Sequence, residues 1–260
     1  MFITSKAMSF VTTLVLIAVI FRQMAQAKIK LPSMRPIAGL DALTTVVGRA
    51  TEMGKPVHYS TGRGALHDEF APQTMAGLNI LSHVAKLTAE YDCKLIDTVM
   101  QPLVFPVAQE LVKQGFLDAG RPEAFRDDIV RFISPEQCSY AAGTMAIMKR
   151  EQIAGNILIG AFYAEALMLA ETGASVGAIQ IGGTARMYQL PFFAITCDYV
   201  LIGEEMFAAG AYISKDPVAL GCIRAQDLGK IVCVALIVLG SVLQTLNVTG
   251  LHNFLKTYGN

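Results

Sequence analysis

Residues 156–181, NILIGAFYAEALMLAETGASVGAIQI, decide the fold. The run 156–162 is apolar throughout, 164–171 carries a helical pattern that Gly173 closes, and 178–181 is apolar again. A strand without polar alternation is buried on both faces, and two such strands joined through a helix pair in parallel.

The cadence continues outward in both directions. Leu40, Leu43, Val46, Val47, Ala50 and Met53 recur at helical spacing, with Gly54 as the stop and Pro56 preventing continuation. Residues 57–59 read as a strand running into Ser60, Thr61, Gly62, Arg63 and Gly64. Residues 73–91 form a helical pattern with Ala76, Asn79, His83, Lys86 and Glu90 on the polar face. Strands are predicted over 94–100, 129–133 and 194–202, and helices over 106–116, from Glu136 to Gln152, and over 204–213. The expected fold is α/β, a Rossmann-like parallel sheet layer sandwich of about six strands with helices on both faces.

The chain is 53% hydrophobic, 16% charged and carries 21 Lys and Arg against 21 Asp and Glu. That balance excludes a basic nucleic-acid binder and an acidic disordered tail. The charge is unevenly placed: only Lys6 precedes residue 22, only Lys256 follows residue 230, and all 21 acids lie between Asp41 and Asp227. Residues 7–21 are fifteen uncharged positions in a row, and 231–255 contain no Asp, Glu, Lys or Arg. A bilayer core needs about 20 residues of helix, so both ends read as transmembrane helices.

A cleaved signal peptide competes for the first stretch, because Lys6, the apolar run and Ala25-Gln26-Ala27 fit its three regions. Arg22, Lys28, Lys30 and Arg35 oppose export and favour a retained anchor. With Arg224 and Lys230 flanking the other span, the expectation is an anchor over 1–22, a tether over 23–38, a cytoplasmic domain over 39–229, a second span over 230–255 and a tail over 256–260, in the cell (inner) membrane. A four-span reading of 153–170 and 175–196 fails on Glu165, Glu171 and Arg186, which leave charge-free runs too short to cross. Cys93, Cys138, Cys197, Cys222 and Cys233 are odd in number and form no Cys-x-x-Cys pair, so neither a disulfide framework nor a zinc ribbon is expected.

Residues 35–42 (RPIAGLDA), 47–57 (VGRATEMGKPV), 163–174 (YAEALMLAETGA), 177–181 (GAIQI), 189–193 (QLPFF) and 203–205 (GEE) resemble a family of uncharacterised prokaryotic membrane proteins known as a domain of unknown function. The likeness spans most of 35–215. It implies a membrane-tethered cytoplasmic domain and supplies no activity, cofactor or catalytic residue.

In an open parallel sheet, ligands gather beyond the carboxyl ends of the strands. Those ends carry Ser60, Thr61, Gly62, Arg63, Gly64, Glu165, Gly182, Gly183, Thr184 and Glu204, which are the candidate ligand-binding residues. The Gly-rich turn offers N–H groups and a charged clamp for an anion, without the dinucleotide or Walker spacing. Glu165 and Glu204 begin helices, where the macrodipole favours a carboxylate with no catalytic duty. Asp198 falls inside an apolar run and needs donors if buried. His58, His67, Asp68 and Glu69 match no standard metal spacing.

No motif fixes a reaction. Two readings stand: a binding or assembly module whose partners are the lipid bilayer and a copy of itself or another membrane protein, and a small-molecule or nucleotide-binding enzyme at the carboxyl edge. The topology is directly testable. Alkaline phosphatase fused after residue 150 is expected to be inactive and a cytoplasmic reporter there active; the opposite pattern, or a mature terminus at Lys28, overturns the retained anchor and the orientation together.

Overall fold

The structure, a computed structural model, describes residues 7–29, 37–214 and 217–245. The chain divides into two compact units, residues 35–214 and the two terminal segments, 1–34 with 215–260.

The larger unit opens with helix α2 (Ala38–Met53), capped at Gly54, and continues with β1 (Val57–Gly62), α3 (Ala71–Glu90), β2 (Leu95–Val99), α4 (Val104–Asp118) and β3 (Val130–Phe132). Its second half is α5 (Gln137–Glu151), β4 (Gly155–Ala161), α6 (Glu165–Ser175), β5 (Ile179–Thr184), α7 (Leu190–Thr196), β6 (Tyr199–Ile202) and α8 (Glu204–Ser214). The six strands pair in the order β3-β2-β1-β4-β5-β6, every pair parallel. The chain winds outward from β1 to β3, returns through α5, and winds outward again from β4, so the order reverses between β1 and β4.

Two apolar layers sandwich the sheet. Val57, Tyr59, Leu95, Val99, Ile157, Ile159 and Ile181 pack with α2, α3, α4 and α8 on one face, while Leu158 packs with Tyr140, Ala166, Leu169 and Phe193 of α5, α6 and α7 on the other. Both flanks of α3 are covered by α4 and α8. Its expected polar face is therefore corrected: Ala76 is buried, and Asn79, His83 and Lys86 are half-buried.

A polar seam crosses the second layer. His58, Asn156 and Gln180 are register partners on β1, β4 and β5. Gln180 Nε2 donates to the Thr196 carbonyl (2.8 Å), and Asn156 Nδ2 donates to Gln180 Oε1 (2.7 Å). Asn156 Oδ1 is then left to accept from His58 Nδ1 (2.8 Å), which makes His58 Nε2 the acceptor for Thr98 Oγ1 (2.9 Å). The Tyr140 hydroxyl closes the seam on Ser60 Oγ at 2.5 Å. Gly173 belongs to the same arrangement. The predicted helix end falls there, yet α6 runs on to Ser175, because a Cβ at 173 would meet the Asn156 and Gln180 amides.

A second correction concerns 194–202. Pro191 sits in the first turn of α7, and residues 190–196 are helical, leaving only Tyr199–Ile202 as strand. Asp198 is consequently an exposed turn residue whose Oδ2 accepts from Gln180 N (2.8 Å), bracing the start of β5.

In the smaller unit, α1 (Ala7–Ile29) and α9 (Pro217–Thr245) pack together, with Gly221 against the Met24 backbone and Ala27, Leu220 and Ala225 buried. Each contains a stretch long and apolar enough to cross a membrane, Phe10–Lys28 and Pro217–Val242, and only 6% of either stretch is buried. Both helices reach further toward the larger unit in sequence than expected: 23–29 is helix where a tether is predicted, and α9 begins before residue 230. The final part of the predicted second span, 246–255, lies outside the described residues.

Two buried titratable groups oppose each other in their pH dependence. Burial lowers His58 from 6.5 to about 4, so its contribution is present above pH 6.5 and about 3 kcal/mol is lost as pH falls through 4. Asp97, fully buried with neither carboxyl oxygen hydrogen-bonded, is pushed well above its ordinary value by burial. Its contribution is fully present below the unfolded value near 3.8 and is lost as pH rises. Asp97→Asn is therefore expected to be more stable than wild type at pH 7 and to expose the full His58 slope between pH 4 and 6.5. Chemical unfolding across that range checks it; a variant less stable at pH 7 refutes a destabilising burial of the Asp97 carboxyl.

Candidate functional site

The carboxyl edge collects the candidate residues. Ser60, Thr61 and Gly62 end β1, with Arg63 and Gly64 in the turn beyond; Gly182, Gly183 and Thr184 end β5; Glu165 and Glu204 are the first residues of α6 and α8. Glu204 follows the outermost strand, separated from the Arg63 turn by β4 and β5.

The turn after β1 is strapped to β4. Gly62 takes φ +73°, a left-handed conformation suited to glycine, and the register shifts between Ser60 and Gly62 where β1 meets β4. Arg63 N donates to the Ala161 carbonyl (2.8 Å), Gly62 N to Ser60 Oγ (3.0 Å) and Ala65 N to Asp68 Oδ2 (3.1 Å). With these N–H groups engaged, the turn presents its Arg63 side chain to a ligand more than its backbone. Gln101 Nε2 donates to the Arg63 carbonyl at 2.9 Å and holds the turn from β2's side.

Glu165 is 1% exposed and both oxygens are in use: Oε1 accepts from Tyr163 N (3.0 Å) and Oε2 from Gln137 Nε2 (2.5 Å). It fixes the backbone between β4 and α6, and so sets where Tyr163 stands. Gly182 and Gly183 lie within the sheet against Phe193, Cys197, Leu201 and Ile159, where they make room for α7 and the neighbouring strands. Thr184 Oγ1 accepts from Arg186 N (3.2 Å) and shapes the loop that carries Arg186.

Three residues outside the expected set organise the edge. The Arg63 guanidinium carbon lies 4.2 Å from the Tyr163 ring centroid, and that of Arg186 lies 3.9 Å from the same ring and 4.7 Å from Phe70. Phe70 meets Tyr163 edge-on at 5.9 Å. Among the described residues neither arginine has a carboxylate partner, whereas Arg121, Arg126, Arg131 and Arg150 all do. Arg186 Nη1, Thr61 Oγ1 and Gln189 Oε1 are buried without a hydrogen-bond partner. A groove of about 380 Å³ opens at Arg186, lined by Glu69, Phe70, Gln73, Arg186, Met187 and Tyr188. Arg186 was legible only as a lone cation two residues beyond Thr184; its convergence with Arg63 across more than a hundred residues has no local signature.

A second cavity of about 310 Å³ opens at the amino edge around Cys93, Lys94, Arg126 and Arg131. Its cations are already paired, Lys94 and Arg131 with Glu151 and Arg126 with Asp128. His58 is fully hydrogen-bonded inside the seam, Asp68 caps its own loop, and among the described residues no group of three His, Cys, Asp or Glu converges to hold a metal.

No curated protein matches the chain. A family profile does, over residues 1–255, and its description is Domain of unknown function (DUF6754). The α/β unit with its doubly covered parallel sheet, together with the two apolar helices, belongs to the DUF6754 family.

Proposed function

We propose that this protein is a membrane-anchored binding module, its α/β domain on the cytoplasmic side of the cell (inner) membrane, taking a small ligand at the carboxyl edge of the sheet. The observation that carries this reading is the pair Arg63 and Arg186, both against Tyr163 and both without a carboxylate partner among the described residues, beside the point where the strand order reverses. Crevices at such reversal points are where open parallel sheets bind ligands. Ser60, Thr61, Gly62, Gly64, Glu165, Gly182, Gly183 and Thr184 frame the site, and Glu204 stands at its outer margin. Turnover at the same edge is the alternative, a small-molecule or nucleotide-binding enzyme using these residues.

The two apolar helices place the bilayer among the partners. Exposed Ile195, Tyr199 and Ile202 around edge strand β6 offer apolar surface to a copy of the chain or another membrane protein.

The test is thermal unfolding of the full chain in mild detergent against a panel of nucleotides and anionic, neutral and cationic metabolites. At least one ligand is expected to raise the midpoint by several degrees, as about 3 kcal/mol follows from ligand at a hundred times its Kd, with the shift lost in Arg63→Ala. A panel without effect, or a shift indifferent to Arg63→Ala, refutes the edge as the binding site.

A further inference from the structure

The edge holds its cations in an unusual state. The Arg186 guanidinium sits in the corner where Phe70 and Tyr163 meet edge to face, with Nη1 buried and without a hydrogen-bond partner among the described residues. Contact with aromatic rings recovers less than the cost of desolvating a guanidinium without an anion. Arg63 lies against the same Tyr163 ring, so two planar forks share one neighbourhood. One carboxylate satisfies one fork; a phosphate dianion has three oxygens and enough charge for both. The strapped turn leaves little backbone N–H density for that charge, which puts recognition on the side chains.

Beside the arginines the groove turns apolar and flat. Met187 is 75% and Tyr188 80% exposed, and both line the same space of about 380 Å³ as Phe70. Exposed aromatic and thioether side chains next to a cation pair form a platform on which a flat ring stacks. Glu69 on the same groove supplies an acceptor for hydroxyl or amino groups on that ring's substituents.

We propose that the ligand of this edge is a phosphomonoester carried on a flat aromatic or heterocyclic body, as in a nucleoside monophosphate, with the phosphate held by Arg63 and Arg186 and the body lying along Phe70, Met187 and Tyr188. This rests on the carboxyl-edge binding reading and specifies its ligand class. The Thr184 hydroxyl, by accepting from Arg186 N, is the positioning residue for the clamp.

The experiment is calorimetric titration of the full chain in mild detergent with adenosine monophosphate, adenosine and inorganic phosphate, alongside hydrogen exchange. Adenosine monophosphate should bind at least tenfold more tightly than either fragment and protect 60–65, 163–165 and 182–189. Arg186→Lys, which keeps the charge and loses the planar fork, should weaken adenosine monophosphate at least tenfold while leaving adenosine unchanged; the unfolding midpoint of the variant shows that it is folded. Arg63→Lys serves as the second variant. Adenosine binding as tightly as its monophosphate, or Arg186→Lys and Arg63→Lys both without effect, overturns the proposal. Protection of those segments by a neutral or cationic metabolite alone overturns it too, but leaves edge binding standing; ligand protection confined to other segments overturns both. Vesicles containing phosphatidic acid form the last arm: Arg186-dependent binding to them without binding of adenosine monophosphate assigns the phosphate to a lipid and overturns the aromatic body.

Discussion

The in-register row His58–Asn156–Gln180 is the constraint on which the rest of the α/β unit depends. Its amides and imidazole are fully buried, so each donor must face an acceptor, and the row permits one assignment of hydrogens through to the Thr196 carbonyl. A one-residue slip of any of the three strands would carry its polar side chain to the opposite, apolar face and leave its partners unpaired, at about 1–3 kcal/mol for each orphaned group. The row spans β1, β4 and β5, which include both sides of the strand-order reversal. Pinning their register fixes where those strands end, and hence where Arg63, Tyr163 and Arg186 leave the sheet.

The edge differs from the rest of the surface in how its charges are satisfied. Four arginines elsewhere find carboxylates, as Arg121 does with Asp92 at 2.8 Å and Arg126 with Asp128 at 3.0 Å. At the edge Glu165, two residues beyond Tyr163, accepts from a backbone N–H and from Gln137. Its carboxylate orients the Tyr163 peptide, and Tyr163 offers the arginines an aromatic surface where an acid would have neutralised them. Cations held by rings, with no carboxylate partner among the described residues, are the feature on which the proposed anion site rests.

The layered fold was legible because its strands are mostly apolar and alternate with amphipathic helices, most plainly in 156–181, where β4, α6 and β5 follow the expected order. Legibility failed where tertiary packing overrode local pattern. Gly173 reads as a helix stop, but serves the close approach of α6 to two buried amides. Residues 194–196 read as strand because they are apolar, although Pro191 marks a helix start. The polar face of α3 is narrowed, with Ala76 buried and Asn79, His83 and Lys86 half-buried, because α4 and α8 pack against that helix, while Glu90 stays exposed. The candidate edge was legible without the strand order, since parallel strands joined by crossovers bring all their carboxyl ends to one side of the sheet. Its central pairing was not, because Arg63 and Arg186 meet through Tyr163, and stacking carries no spacing rule.

The chain has no tryptophan, so a Tyr188→Trp variant places a single fluorophore on the groove wall. Titrating this variant, as full chain in mild detergent, with a phosphomonoester found to stabilise the protein tests whether the edge is where the ligand lies. The account predicts a saturable change in emission that follows the same binding curve as the rise in unfolding midpoint and disappears when Arg186→Ala is added. Stabilisation by the ligand with no change in emission from this position would place binding elsewhere and contradict the account.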